Sequence, residues 1–248
     1  MSETSVLQFL DAQALVDAAR SRFVEVVVAA QADRGSASVV LTGGGTGIAL
    51  LEALREDSGA IDWSQVDVYF GDERFLPSGD PERNEVQARN ALLDHVPVHP
   101  DRVFPMAASD GPHGSDARLA AVSYAQILAS HSEGNHTPAF DIHLLGMGGE
   151  GHINSLFPHT DAVREKTHYV VAVEDSPKPP PVRITLTLPA IQRAKHVWLL
   201  VSGAAKAQAV SDAVGGADPV DIPSAGALGS TSTVWFLDAD AASGLATD

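Results

Sequence analysis

The residues best equipped for chemistry lie between Leu145 and His152, in the run Leu-Gly-Met-Gly-Gly-Glu-Gly-His, followed closely by Ser155-Leu156-Phe157-Pro158. An apolar segment, Phe140 to Leu145, leads into this run and reads as a buried strand. A strand that ends in a glycine turn brings backbone N–H groups close to a ligand and leaves room for it. His152 is a candidate general acid or base, and Glu150 is spaced to orient the imidazole and stabilise its protonated form. A buried histidine bonded only to a backbone carbonyl is the alternative. The same letters also fit the dinucleotide fingerprint G-x-G-x-x-G at Gly146, Gly148 and Gly151. That fingerprint opens a long helix in the first βα unit of its domain. Here Pro158 comes seven residues after Gly151, and the run lies far along the chain, which favours a catalytic turn.

Three further strand ends carry unusual residues. Thr42 is followed by Gly43-Gly44-Gly45-Thr46-Gly47 between a strand and a helix, a cradle of backbone N–H groups suited to an anion. It is no P-loop, because no Gly-Lys-Ser/Thr follows. A tight turn made only for packing is the competing reading. Asp72-Glu73-Arg74 places three charges directly after an apolar strand, which is costly unless they face a cleft or pair with one another. Arg74 is a candidate for holding an anion or a developing oxyanion. Ser202-Gly203-Ala204-Ala205-Lys206 puts a lysine in the first turn of a helix, against the helix dipole, a conflict that a bound anion removes. The chain has only four lysines, Lys166, Lys178, Lys195 and Lys206, so this placement carries weight. Arg183 is a second candidate anion contact.

The elements that position these residues alternate between strand and helix patterns. Helices are predicted over Ala12–Ala30, from about Thr46 to Arg55, over Asn84–His95 with Asn84 as N-cap, over Ser115–Ser130 and over Ala204–Val214. Strands are predicted over Ala37–Leu41, Val66–Phe70, Phe140–Leu145, His168–Val173, His196–Val201 and Thr233–Leu237, with Ile184–Ala194 extended at first and then helical. Asp175 to Pro181 is a proline-rich loop. This order predicts an α/β fold with a Rossmann-like, mostly parallel sheet and helices on both faces, as a single domain over residues 1–248. Ligands in such folds bind at the carboxyl ends of the strands.

Composition excludes several function classes. Asp plus Glu number 32 against 16 Lys plus Arg, a formal charge of −16, which argues against nucleic-acid binding. With no cysteine there is no disulfide, thiolate metal site or thiol nucleophile, and the chain suits a reducing compartment, here taken as cytoplasmic. Met1 to Gln13 lacks the basic start of a signal peptide, and no apolar run is long enough to span a membrane. His95 and His99 have Pro97 between them, so helical metal-ligand spacing fails. Asp141 and His143 alternate with apolar residues, reaching neighbouring elements or solvent. No G-x-S-x-G elbow exists, so hydrolysis here calls for an activated water.

Taken jointly, Gly146 to Pro158, Leu41 to Thr46, Gly71 to Arg74, Arg183 to Pro189 and Ser202 to Lys206 resemble the 6-phosphogluconolactonase family, in family order and across nearly the whole chain. The resemblance implies the fold shared with hexosamine-phosphate deaminases and ribose-phosphate isomerases, no metal or organic cofactor, and a phosphorylated sugar lactone as substrate. It implies hydrolysis of 6-phosphogluconolactone to 6-phosphogluconate in the oxidative pentose phosphate pathway. Glucosamine-6-phosphate deaminase has a comparable turn, but continues Phe-Asn-Glu-Pro, with a carboxylate its ring opening needs; Ser155-Leu156-Phe157-Pro158 has no acid there. A deaminase-like enzyme and a non-catalytic sugar-phosphate sensor are the rival readings. The family usually carries Asp where this chain has Glu150. On this resemblance His152 activates water, Glu150 supports it, and Arg74 stabilises the oxyanion. Asp72 positions a sugar hydroxyl or Arg74. Gly44, Gly45, Thr46, Lys206 and Arg183 hold the phosphate, in a monomer or weak homodimer.

Overall fold

Apolar residues on successive positions of the strands are divided between two cores, one on each side of a sheet. The computed structural model describes residues 3–132, 134 and 136–245. The chain begins with β1 (Glu3–Phe9), α1 (Ala12–Arg34), β2 (Ala37–Leu41), α2 (Gly45–Glu56), β3 (Val66–Phe70) and β4 (Asp72–Arg74). It continues through α3 (Asn84–Ala88), β5 (Val103–Phe104), α4 (Ala117–Ser130), β6 (Ile142–Leu145), α5 (Asp161–Arg164), β7 (Val170–Val173) and β8 (Arg183–Leu186). The last elements are α6 (Leu188–Ile191), β9 (His196–Val201), α7 (Ala207–Val214), β10 (Ser232–Asp238) and α8 (Ala239–Ala242).

Seven strands form one sheet in the order β1-β10-β9-β6-β2-β3-β5, and every neighbouring pair is parallel. On β9, Val197, Leu199 and Val201 pack into the core shared with α4, α6, α7 and α8, while Trp198 and Leu200 pack against α1 and α2. Burial on both sides explains the near-continuous apolar runs that marked the strands in the sequence. Asp11 caps α1 by accepting from Ala14 N–H at 2.8 Å, and Gly35, at φ 81°, ends it. Asp116 caps α4 in the same way. Among the described residues no helix is long and apolar enough to cross a membrane.

Strand β5 and helices α5 and α8 were assigned no element in the sequence, and three further features depart from its expectations. Glu3–Phe9, assigned no element, forms edge strand β1 on β10; its residues are at most partly buried, so no clear alternation marks it. Asp72–Arg74, assigned no element, is a short strand in an antiparallel sheet of order β4-β8-β7 that sits beside the main one. Asn84 is not a cap but the first residue of α3, which runs on into a π turn over Arg89–Leu93. The capping is supplied from across the fold, by the Glu73 carboxylate, which accepts from Asn84 N–H at 2.7 Å and Glu85 N–H at 2.9 Å.

The chain runs from β2 to β3 on one side of the sheet, and from β6 to β9 on the other. The adjacent carboxyl ends of β2 and β6 are therefore a topological switch point, where a crevice opens. At the other end of β6, Asp141 is buried and binds Arg34 at 2.6 Å and Lys195 at 3.1 Å. His143 is fully buried with neither ring nitrogen hydrogen-bonded. Burial pushes it from 6.5 down to about 3, so the folded chain keeps it neutral while the unfolded chain takes up a proton. Stability contributed by the neutral ring is whole above pH 6.5 and declines as pH falls towards about 3. Between pH 6.5 and 5 this amounts to about 2 kcal/mol. Urea unfolding at the two pH values tests it: His143→Leu is expected to lose less stability on acidification than the wild type by that margin, and equal losses would refute the account.

Candidate active site

A cavity of about 660 Å³ opens at the switch point, lined by Thr42–Gly47 from β2 and α2, Gly146–Gly149 after β6, Asp72 and Arg74 of β4, and His152, Arg183 and Lys206. Every residue given a catalytic or phosphate-holding role from the sequence lines it except Glu150, which stands behind His152. The two glycine turns are tied to each other where Gly146 N–H donates to Thr42 Oγ1 at 3.1 Å.

Helix α2 starts at Gly45 behind Gly44, which lies at φ 86° and offers no side-chain cap. The first N–H groups of a helix have no partner of their own, and here they meet a cavity. Nothing lies within 4 Å of where a Cβ on Gly44 or Gly45 would stand. Thr46 Oγ1 is 3.1 Å from Ser202 Oγ, so the cradle is braced against the turn after β9. Lys206 closes that side; its ammonium donates to the carbonyl of Met147. Burial lowers its pKa, and the charge of Lys178 adds to the effect.

His152 is held on two sides. Its Nδ1 is 3.0 Å from Glu150 Oε1, and its ring stacks on buried Phe157 with centroids 4.4 Å apart. A carboxylate facing Nδ1 selects the tautomer with its proton there and leaves the Nε2 lone pair free to act as a base. Gly148 is required at its position, because a Cβ would fall 2.0 Å from Nδ1. Burial lowers the pKa of His152, and the Glu150 charge opposes it. Glu150 also binds Lys178 Nζ at 2.9 Å. Burial works against its ionisation, but the Lys178 bond helps hold its pKa below the usual carboxylate value.

Asp72 and Arg74 point to the cavity from one face of β4, while Glu73 points inward and is fully buried. Burial pushes Glu73 up to about 7, against the nearby Arg83 guanidinium and the backbone N–H bonds it accepts. Asp72 accepts from Ser155 Oγ at 2.6 Å. Arg74 donates to the Glu82 carbonyl at 2.6 Å. Arg183 spends most of its guanidinium on the proline-rich loop: Nε donates to Pro180 O at 3.1 Å, and Nη2 to Lys178 O and Pro179 O at 3.1 and 3.0 Å. Its Nη1 has only a 3.5 Å contact with Ser155 Oγ, and lies 4.0 Å from Asp72 Oδ2.

That loop places Lys178 on the cavity wall, a cation not singled out among the four lysines. Asn84 and Asn154 line the cavity as well. The one signal for Lys178 was its position in Ser-Pro-Lys-Pro-Pro-Pro-Val-Arg, a loop that Arg183 and Ser176 tie down through its carbonyls. A polar cavity with a poised imidazole, four cations and uncapped N–H groups is equipped to bind an anionic ester and attack it with water.

Residues 10–235 match the family model described as glucosamine-6-phosphate isomerases/6-phosphogluconolactonase. The 6-phosphogluconolactonase of Mycobacterium tuberculosis is 58% identical over 243 residues, which is 98% of each chain. That of Streptomyces coelicolor is 53% identical over 251 residues, 99% of this chain and 96% of its own. The solved structure of 6-phosphogluconolactonase from Trypanosoma cruzi superposes with a TM-score of 0.84 at 28% identity, covering 100% of this chain and 99% of that one.

The Glu150–Lys178 pair acts on His152 with opposite signs, since the carboxylate raises the imidazole pKa and the ammonium lowers it. NMR titration of the ring protons should therefore show a lower pKa in Glu150→Gln and a higher one in Lys178→Met. Shifts of the same sign in both variants would break the proposed coupling.

Proposed function

Because the chain belongs to the glucosamine-6-phosphate isomerase and 6-phosphogluconolactonase family, we propose that it hydrolyses 6-phosphogluconolactone to 6-phosphogluconate, with His152 activating the attacking water. The observation that carries this reading is the imidazole fixed by Glu150 at 3.0 Å, with its other nitrogen left for a proton. The phosphate rests on the N–H groups of Gly44, Gly45 and Thr46, with Lys206, the Nη1 edge of Arg183 and Lys178 as cations. Water attacks the lactone carbonyl as its proton passes to His152 Nε2. Arg74 and the glycine-turn N–H groups stabilise the tetrahedral oxyanion. When the intermediate collapses, the C–O bond to the ring oxygen breaks and His152 returns the proton to that oxygen. The new carboxylic acid then ionises to solvent. Asp72 aligns a sugar hydroxyl.

The position after His152 favours the lactonase over a deaminase. Ser155 is spent on Asp72 and Phe157 lies beneath the imidazole, so no carboxylate from this run serves ring opening. Lack of cysteine suits a reducing, cytoplasmic setting, and the acidic charge suits a catalyst without nucleic acid as partner.

The lactone opens spontaneously, so the measurement is acceleration over buffer with freshly made substrate. His152→Ala is expected to lose about 10²–10⁴-fold in kcat. Unchanged kcat would remove the base from His152, and ammonia released from glucosamine 6-phosphate would favour the deaminase. Lys206→Ala is expected to raise KM about 10- to 100-fold with little change in kcat, the worth of one charge-assisted hydrogen bond. A KM unaffected by the change would leave the phosphate elsewhere.

A further inference from the structure

Asn84 is 6% exposed yet lines the cavity, and the mechanism above makes no use of it. Its Nδ2 donates to Asp72 Oδ1 and to the Asp72 carbonyl, both at 2.9 Å. Its Oδ1 accepts from Arg74 Nη1 at 3.3 Å. The same oxygen would be 2.3 Å from a Cβ on Gly43, so the amide also lies against the backbone of the anion cradle. The residue is anchored from below. Glu73 accepts from Asn84 N–H at 2.7 Å and from Arg74 N–H at 2.8 Å, and lies 3.6 Å from Arg83.

Asp72 and Arg74 are opposite charges two residues apart on one face of a strand, so both side chains project into the same space. Among the described residues they form no ion pair. The amide sits between them, offering a donor to the carboxylate and an acceptor to the guanidinium. We propose that Asn84 is a positioning residue, a neutral spacer that keeps Asp72 and Arg74 from cancelling each other and holds both toward the substrate. This rests on the roles given to Asp72 and Arg74 above.

The discriminating variant is Asn84→Asp, which keeps the shape and the acceptor but sets a second carboxylate beside Asp72. Two carboxylates sharing a site raise the apparent pKa of the pair. Once protonated, the introduced carboxyl again donates to Asp72. The charged groups facing position 84 are Asp72, Arg74 and Glu73, with Arg83, Glu85 and Arg183 behind them. The kcat/KM of Asn84→Asp relative to wild type is therefore expected to rise at least about tenfold from pH 8 to pH 5.5. The same ratio for Asn84→Ala, which adds no titratable group, is expected to stay flat. In a double-mutant cycle Asn84→Ala should cost about tenfold or more alone, but less than about threefold on an Arg74→Ala or Asp72→Asn background. A flat ratio for Asn84→Asp, or fully multiplicative losses in the cycle, would overturn the spacer. Full activity in both Asp72→Asn and Arg74→Ala would instead remove the roles on which it rests. The Asp variant keeps the test valid if Asn84→Ala does not fold.

Discussion

A doubly charged anion has to settle in a protein whose formal charge is −16. The way the cations are held answers that constraint. Arg74 leans on the Glu82 carbonyl and the Asn84 amide, Arg183 on three loop carbonyls, and Lys206 on the Met147 carbonyl. Neutral dipoles are the main supports of these three groups, whereas Lys178 is paired with Glu150, so the field the three present is already aligned when the ligand arrives. The opposite end of the sheet shows the other solution. There Arg34 and Lys195 both close on Asp141, and the positive charge is used up inside the protein.

The run from His152 to Pro158 serves this arrangement at each step. Glu150 fixes the imidazole from one side and Phe157 from the other, while Ser155 fixes Asp72. Leu156 is fully buried and anchors the turn in the core. The residues of this run thus support the groups proposed to act on the lactone, so a change of side chain here also disturbs their geometry.

How much was legible in the sequence follows from the range of the interactions involved. Ala37–Leu41 and Val66–Phe70 appear as strands with the bounds their apolar runs suggest, since burial on both faces leaves a local mark. The glycine turns were legible because their residue types have few other uses. Lys178, Asn84 and Glu73 were not, because what they do depends on partners far along the chain. Lys178 reaches the cavity through a loop folded around Arg183, and Asn84 reads as a helix cap until β4 brings Glu73 beneath it. Strand β4 itself is three residues long and exists only by pairing with β8, more than a hundred residues later. Residue type was readable from the sequence; direction was not.

The bond from Gly146 N–H to Thr42 Oγ1 joins positions 104 residues apart. Closing so long a segment is paid for in chain entropy before any contact across it forms. The meeting of the two glycine turns therefore depends on the pairing of β2 with β6 at the centre of the sheet. Half of the chain, however well structured, holds half of an anion site and no catalyst. Recovery of activity during refolding should thus lag behind the return of helix, reporting the joining of the sheet's middle rather than the formation of its parts.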